Sequence, residues 1–88
     1  MAKPVILAVD DDPQVLAAVR RDLRARYAEQ YQIVASTSGE EAIETVRELA
    51  DRGRAVAAFI ADQRMPGMQG TDFLREAKEI FPETKRLL

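Results

Sequence analysis

The chain has 88 residues, a formal net charge of −2, 47% hydrophobic and 32% charged residues, and neither cysteine nor histidine. A chain of this length builds one modest core, burying roughly 60–65% of its unfolded surface, and has no apolar stretch near the roughly 20 residues that span a bilayer. The near balance of charge argues against nucleic-acid binding as a main activity, and the missing residue types exclude disulfides, thiolate nucleophiles, cysteine-ligated zinc and histidine bases.

In chain order, Val5-Ile6-Leu7-Ala8-Val9 is a continuous apolar run, the pattern of a strand buried on both faces. It is too short for a signal-peptide core, so cytoplasmic residence is the expectation. The run ends abruptly in Asp10-Asp11-Asp12. Carboxylates this close repel one another and disfavour the folded state unless a cation or donor offsets them, and a hard divalent cation is the natural candidate. Asp12-Pro13 is also a good helix start, Asp as N-cap and Pro at the first helical position.

From Pro13 to about Ala28, Val15, Leu16, Val19 and Leu23 recur at helical spacing, while Arg20, Arg21, Arg24 and Arg26 read as a solvated face. Tyr31 to Ala35 is a second strand, more polar and so nearer an edge. Ser38-Gly39-Glu40-Glu41 is a capping box with Ser38 as N-cap. The helix it opens carries Ile43, Val46, Leu49 and Ala50 on one face and stops at Gly53. Val56 to Ala61 is a third apolar strand, ending in Asp62, and a loop of turn formers runs from Gln63 to Gly70. Thr71 then caps a third helix with Phe73, Leu74, Ala77, Ile80 and Phe81 inward and Pro82 at its end. Lys85-Arg86-Leu87-Leu88 reads as a fourth strand just beginning.

This alternation predicts an α/β fold, a three-layer α-β-α arrangement around a parallel sheet with right-handed crossovers. All strand C-terminal ends then lie on one edge, where ligands bind. Taken alone, Asp62 reads as a turn-opening aspartate. If its strand neighbours the first, its carboxylate converges with Asp10 to Asp12 in one cleft. The rigid loop at Pro66 would hold backbone carbonyls close by, and a carbonyl is a legitimate oxygen ligand for Mg²⁺.

Asp10-Asp11 after a short apolar strand, the D-x-x-M-P-x-x-x-G pattern from Asp62 to Gly70, and the spacing between them closely resemble the receiver domain of two-component response regulators. The resemblance covers essentially the whole chain, from Pro4 to Leu88. It implies a flavodoxin-like sheet of order 2-1-3 plus the start of strand 4. It further implies that Asp62 accepts a phosphoryl group from a phosphohistidine on a sensor histidine kinase or phosphotransfer protein. Asp11 matches the direct Mg²⁺ ligand, Asp10 the neighbour that contacts the ion through water, and Arg64 the position whose backbone carbonyl completes the coordination beside Asp62. Asp12 has no role in the pattern and stays a helix cap; Pro66 and Gly70 shape the loop. Such a chain is not an ordinary enzyme but a phosphoacceptor that takes part in its own phosphorylation and dephosphorylation and controls an output module. A charge-neutralised carboxylate can form an acyl phosphate without histidine or cysteine, which suits this composition.

The same pattern makes residues 1–88 a single, partial receiver domain lacking the last strands and helices. The Ser or Thr ending the fourth strand and the Lys ending the fifth are expected to be missing, and neither Lys78 nor Lys85 stands where it replaces the latter. The third strand, or the stub from Lys85, is then an open apolar edge that invites a homodimer or a swapped assembly. Nucleic acid and membrane are not expected partners. Two other readings remain. A haloacid-dehalogenase-like phosphatase matches Asp10 and Asp12 as D-x-D, but has Thr or Val where Pro13 stands and leaves the Met65-Pro66 loop unexplained. A receiver-like module could also bind protein without phosphorylation. A dinucleotide fold needs a Gly-rich first turn, the electrostatic opposite of Asp11-Asp12-Pro13.

Overall fold

In a computed structural model, whose described residues are 2–87, the apolar run Val5–Val9 forms strand β1, buried at every position. β2 (Gln32–Ser36) pairs on one side of it and β3 (Val56–Ala61) on the other, and β4 (Lys85–Leu87) adds to β3. All pairings are parallel and the order is β2-β1-β3-β4. β1 is central and has no solvent face, which is why it shows no polar alternation. Helices α1 (Pro13–Tyr27), α2 (Gly39–Asp51) and α3 (Gly70–Ile80) form the crossovers. The sheet and helix order are those of a flavodoxin-like α/β fold, as expected.

The strand period of two divides β1 between two unequal faces. Val5, Leu7 and Val9 join Phe59 and Ala61 in a core closed by Ile43, Val46 and Leu49 of α2 and Phe73 and Ala77 of α3. Phe59 meets Phe73 edge-on, with ring centroids 5.8 Å apart at 89°. Ile6 and Ala8 take the opposite face, which α1 covers with Leu16 as its one buried residue. Val19 and Leu23 are half-buried and Val15 is 45% exposed, so Val15 does not belong to the inward stripe. A single helix touches the sheet along one line, here 16-19-23, and Val15 is rotated off it.

Element ends differ from the expectations by short-range bonding. Tyr31 donates its N–H to the Tyr27 carbonyl at 2.8 Å and finishes the helical turn, so β2 starts at Gln32, whose N–H bonds to the Pro4 carbonyl. Ser38 caps α2, its Oγ accepting from the Glu41 N–H at 3.1 Å. Gly53, at φ 68, ends the helix in the left-handed region where glycine carries no Cβ penalty. Ala50 is exposed; the buried stripe of α2 runs through Ala42, Ile43, Val46 and Leu49. α3 is capped at Gln69, not Thr71. The Gln69 N–H bonds to Asp72 Oδ2 at 3.3 Å, and Gln63 accepts from Gly70 and Thr71, so the helix begins before the threonine. β3 is covered by β4, whose Lys85 and Arg86 are basic rather than apolar. The fourth-strand reading at Leu88 lies outside the described residues.

Candidate functional site

Two backbone bonds seat the acidic residues. In the β1–β3 ladder Val9 is opposite Ala61, both buried, so the next residue on each strand emerges at the same point of the C-terminal edge. Those residues are Asp10 and Asp62. The Asp62 N–H bonds to the Val9 carbonyl at 2.9 Å, and the Asp10 N–H to the Ser36 carbonyl at 3.2 Å, tying all three strand ends together. Asp10 and Asp62 are half-buried and Asp11 is exposed. One carboxylate oxygen from each of the three lies within 4.8 Å of the others.

The hydrogen bonds assign the third aspartate of the run elsewhere. Asp12 Oδ1 accepts from the N–H groups of Gln14 at 2.9 Å and Val15 at 3.4 Å, capping α1 with Pro13 at its first position. Asp10 Oδ1 in turn accepts from the Asp12 N–H at 2.9 Å, which fixes the turn. A D-x-D phosphatase would need Asp12 at the cleft, and its carboxylate is already engaged by the helix. The ion pairs among the described residues are Arg21–Asp22 and Arg75–Asp72, so no lysine or arginine there lies within 4.0 Å of the cluster. Three mutually repelling carboxylates without a cationic side chain are an oxygen-only donor set, the kind a hard divalent cation prefers. Oxygens around an ion with bonds of about 2.0–2.1 Å lie about 3–4 Å apart, so three carboxylates already this near fit such an ion with little movement.

The loop after Asp62 is held from both ends. Gln63 spans it: its carbonyl accepts from the Gly70 N–H at 3.3 Å, and its Oε1 accepts from the Thr71 N–H at 3.0 Å. Met65 is buried in the main core, while Arg64 is exposed, two residues past Asp62. Gly67 sits at φ 78, and a Cβ there would come within 2.8 Å of Glu40 Oε1. Gly39 leaves the space that Met68 fills, a Cβ at Gly39 falling 2.8 Å from Met68 Cβ. The loop therefore rests on the first turn of α2 through two glycine contacts. Of the residues expected to shape it, Pro66 is exposed and Gly70 is helical; Gly67 carries the left-handed turn. The bonds that Gln63 makes across the loop, the burial of Met65 and the Gly39–Met68 contact were not read from the sequence. The Pro-Gly dipeptide at Pro66-Gly67 was the available signal for the turn.

A small cavity of about 170 Å³ runs from Asp10 and Asp62 down between α1 and the sheet, floored by Ala8 and Ile60 and walled by Leu16 and Val19. No helix among the described residues is long and apolar enough to cross a membrane.

Comparison with known proteins agrees with this geometry. The family described as response regulator receiver domain matches residues 6–88. The chain is 36% identical over 83 residues to the hydrogenase transcriptional regulatory protein HoxA of Cupriavidus necator, covering 94% of this chain but 15% of that protein. It is 33% identical over 76 residues to the transcriptional regulatory protein AruR of Pseudomonas aeruginosa, covering 85% of this chain and 30% of that one. The chain thus spans less than a third of either relative. Among solved structures, the Vibrio cholerae chemotaxis protein CheY4 superposes with a TM-score of 0.80 at 22% identity, covering 98% of this chain and 68% of that one. A receiver domain protein from Clostridium thermocellum gives 0.75 at 25% identity, covering 96% and 63%.

Proposed function

The chain belongs to the response regulator receiver domain family of two-component systems, and on that premise we propose that Asp62 is its phosphoacceptor and that Asp10, Asp11, Asp62 and the Arg64 backbone carbonyl hold Mg²⁺. The observation that carries this reading is the convergence of three carboxylates from two strand ends, with one oxygen of each within 4.8 Å of the others. When bound, Mg²⁺ neutralises the carboxylates and the phosphoryl oxygens that meet there. An Asp62 oxygen then forms a bond to phosphorus as the phosphorus–nitrogen bond of a donor phosphohistidine breaks, and the electron pair departs with the imidazole. Asp10, locked by its bond to the Asp12 N–H, keeps the cluster from relaxing by rotation. The donor is a sensor histidine kinase or phosphotransfer protein. The relatives are transcriptional regulators, and we read residues 1–88 as one receiver domain that informs such an output from the cytoplasm.

The direct test is incubation with acetyl phosphate and Mg²⁺, followed by intact-mass measurement. A single phosphoryl adduct that hydroxylamine removes and that EDTA prevents is the expected product. An adduct stable to hydroxylamine, and so on a hydroxyl group, would overturn the assignment.

Asp11→Asn gives a separate check on the metal. Removing one of three repelling charges is expected to stabilise the chain in EDTA by about 0.5 kcal/mol, the scale of exposed charge pairs. In the unaltered chain, Mg²⁺ at a hundred times its dissociation constant adds about 2.7 kcal/mol. The variant should lose most of that gain. Thermal unfolding with and without Mg²⁺ reads both signs, and an equal Mg²⁺ shift in the two proteins would remove Asp11 from the site.

A further inference from the structure

At the opposite edge of the sheet, the N-terminal ends of the strands border a second and larger cavity, of about 460 Å³. Three cationic residues line it: Lys3 ahead of β1, Arg24 in the last turns of α1, and Arg54 ahead of β3; no acidic residue does. Two of them are held in place. Lys3 Nζ donates to the Ala28 carbonyl at 2.6 Å, and Arg54 Nη2 donates to the Lys3 carbonyl at 2.9 Å and to Gln32 Oε1 at 2.6 Å. These acceptors are neutral, so they position the cations without cancelling charge. None of the three takes part in the ion pairs found among the described residues.

The remaining wall is different in character. Tyr31 is half-buried and Ile33 buried at the cavity, and the Tyr31 ring is steadied edge-on by Tyr27, with centroids 6.0 Å apart at 79°. Cations on one side and an aromatic residue on the other match a ligand with an anionic head and a planar body. Holding three like charges around one space costs energy that a bound anion returns. A lone phosphate leaves charge uncompensated and fills only part of a cavity whose size falls within the roughly 300–1,000 Å³ of small-ligand sites. A diphosphate matches the charge, and guanidinium groups suit its oxygens through paired N–H bonds.

We propose that the cavity between α1 and the N-terminal ends of β1, β2 and β3 binds a nucleoside diphosphate, its phosphates on Lys3, Arg24 and Arg54 and its base against Tyr31. The site is separate from the carboxylates: the five-residue length of β1 puts roughly 16 Å between the two edges. It rests on none of the residues assigned to phosphoryl transfer.

The test is an amide NMR titration of the whole chain in EDTA, with pyrophosphate in one arm and adenosine diphosphate in the other. Both are expected to shift the amides of Lys3, Tyr31, Gln32 and Arg54 saturably, with the nucleotide binding about tenfold more tightly because its base stacks. Arg24→Gln should weaken both ligands about tenfold, since each loses a charged hydrogen bond. Arg24 is exposed and its side chain makes no hydrogen bond among the described residues, so the variant folds. Arg20→Gln, on the same helix but outside the cavity, should change neither by more than about twofold. Equal losses in the two variants would mean diffuse attraction to an arginine-rich helix and overturn the proposal. So would the absence of saturation up to about 10 mM. Equal affinity for pyrophosphate and nucleotide would overturn the nucleoside assignment.

Discussion

Asp62→Asn is expected to abolish phosphoryl uptake from acetyl phosphate, a loss of at least about a thousandfold in rate, while leaving the fold intact. The amide has nearly the shape of the carboxylate but no anionic oxygen to attack phosphorus. The Asp62 side chain accepts no hydrogen bond among the described residues, and the backbone bond that seats it, from its N–H to the Val9 carbonyl at 2.9 Å, is untouched. The variant therefore loses chemistry rather than structure, and removal of one repelling charge leaves the folded state no weaker. Asp10→Asn makes the informative comparison. Its Oδ1 can still accept from the Asp12 N–H, so the turn survives, and uptake should slow without disappearing. If Asp62→Asn still takes up the label and Asp10→Asn does not, the nucleophile is on β1 and the assignment is wrong.

Much of this site was legible because its parts are local in sequence and alternation puts every strand's C-terminal end on one edge of a parallel sheet. That the strand ending at Asp10-Asp11 and the strand ending at Asp62 are neighbours was implied by the receiver resemblance, and the Val9–Ala61 register delivers it. Asp12-Pro13 also signalled the helix cap that Asp12 forms. What could not be read depends on contacts between distant segments. Thr71 has the composition of a helix cap, but Gln63, eight residues earlier, satisfies its N–H and moves the start of α3 to Gly70. Gly39 looks like part of a capping box; its small size matters because Met68 fills the space beside it. Val15 fits the helical period, and its exposure follows from how α1 alone meets its face of the sheet. The basic cavity is the strongest case. Lys3, Arg24 and Arg54 come from three segments, and each by itself reads as ordinary surface charge.

The largest loss of stability is expected at Phe59. Its ring is wholly buried in the centre of β3, meeting Phe73 at 5.8 Å and Phe81 at 6.2 Å, under α2 and α3. Phe59→Ala removes that ring from a core with two helices packed over it, at a cost of about 3–5 kcal/mol. The edge-on aromatic contact adds about 0.5–1.5 kcal/mol beyond area alone. A domain of this size holds only about 4–13 kcal/mol in total, at about 0.05–0.15 kcal/mol per residue. The substitution therefore consumes roughly a quarter of that stability or more, and at the low end of the range leaves a substantial unfolded population. Phe59→Leu keeps most of the volume and should cost less than half as much. Ile60→Ala tests the asymmetry of the two faces. Ile60 lies on the α1 side, half-buried beside a cavity of about 170 Å³, so it has less packing to lose and should fall well short of Phe59→Ala. Urea unfolding followed by far-UV circular dichroism orders the three. Equal midpoints for Phe59→Ala and Ile60→Ala would show that the core is not concentrated beneath α2 and α3. Because Asp62 directly follows β3, the order also predicts which variants keep the carboxylate cluster: those that leave the Phe59–Phe73 contact in place hold the strand end, and with it the spacing to Asp10.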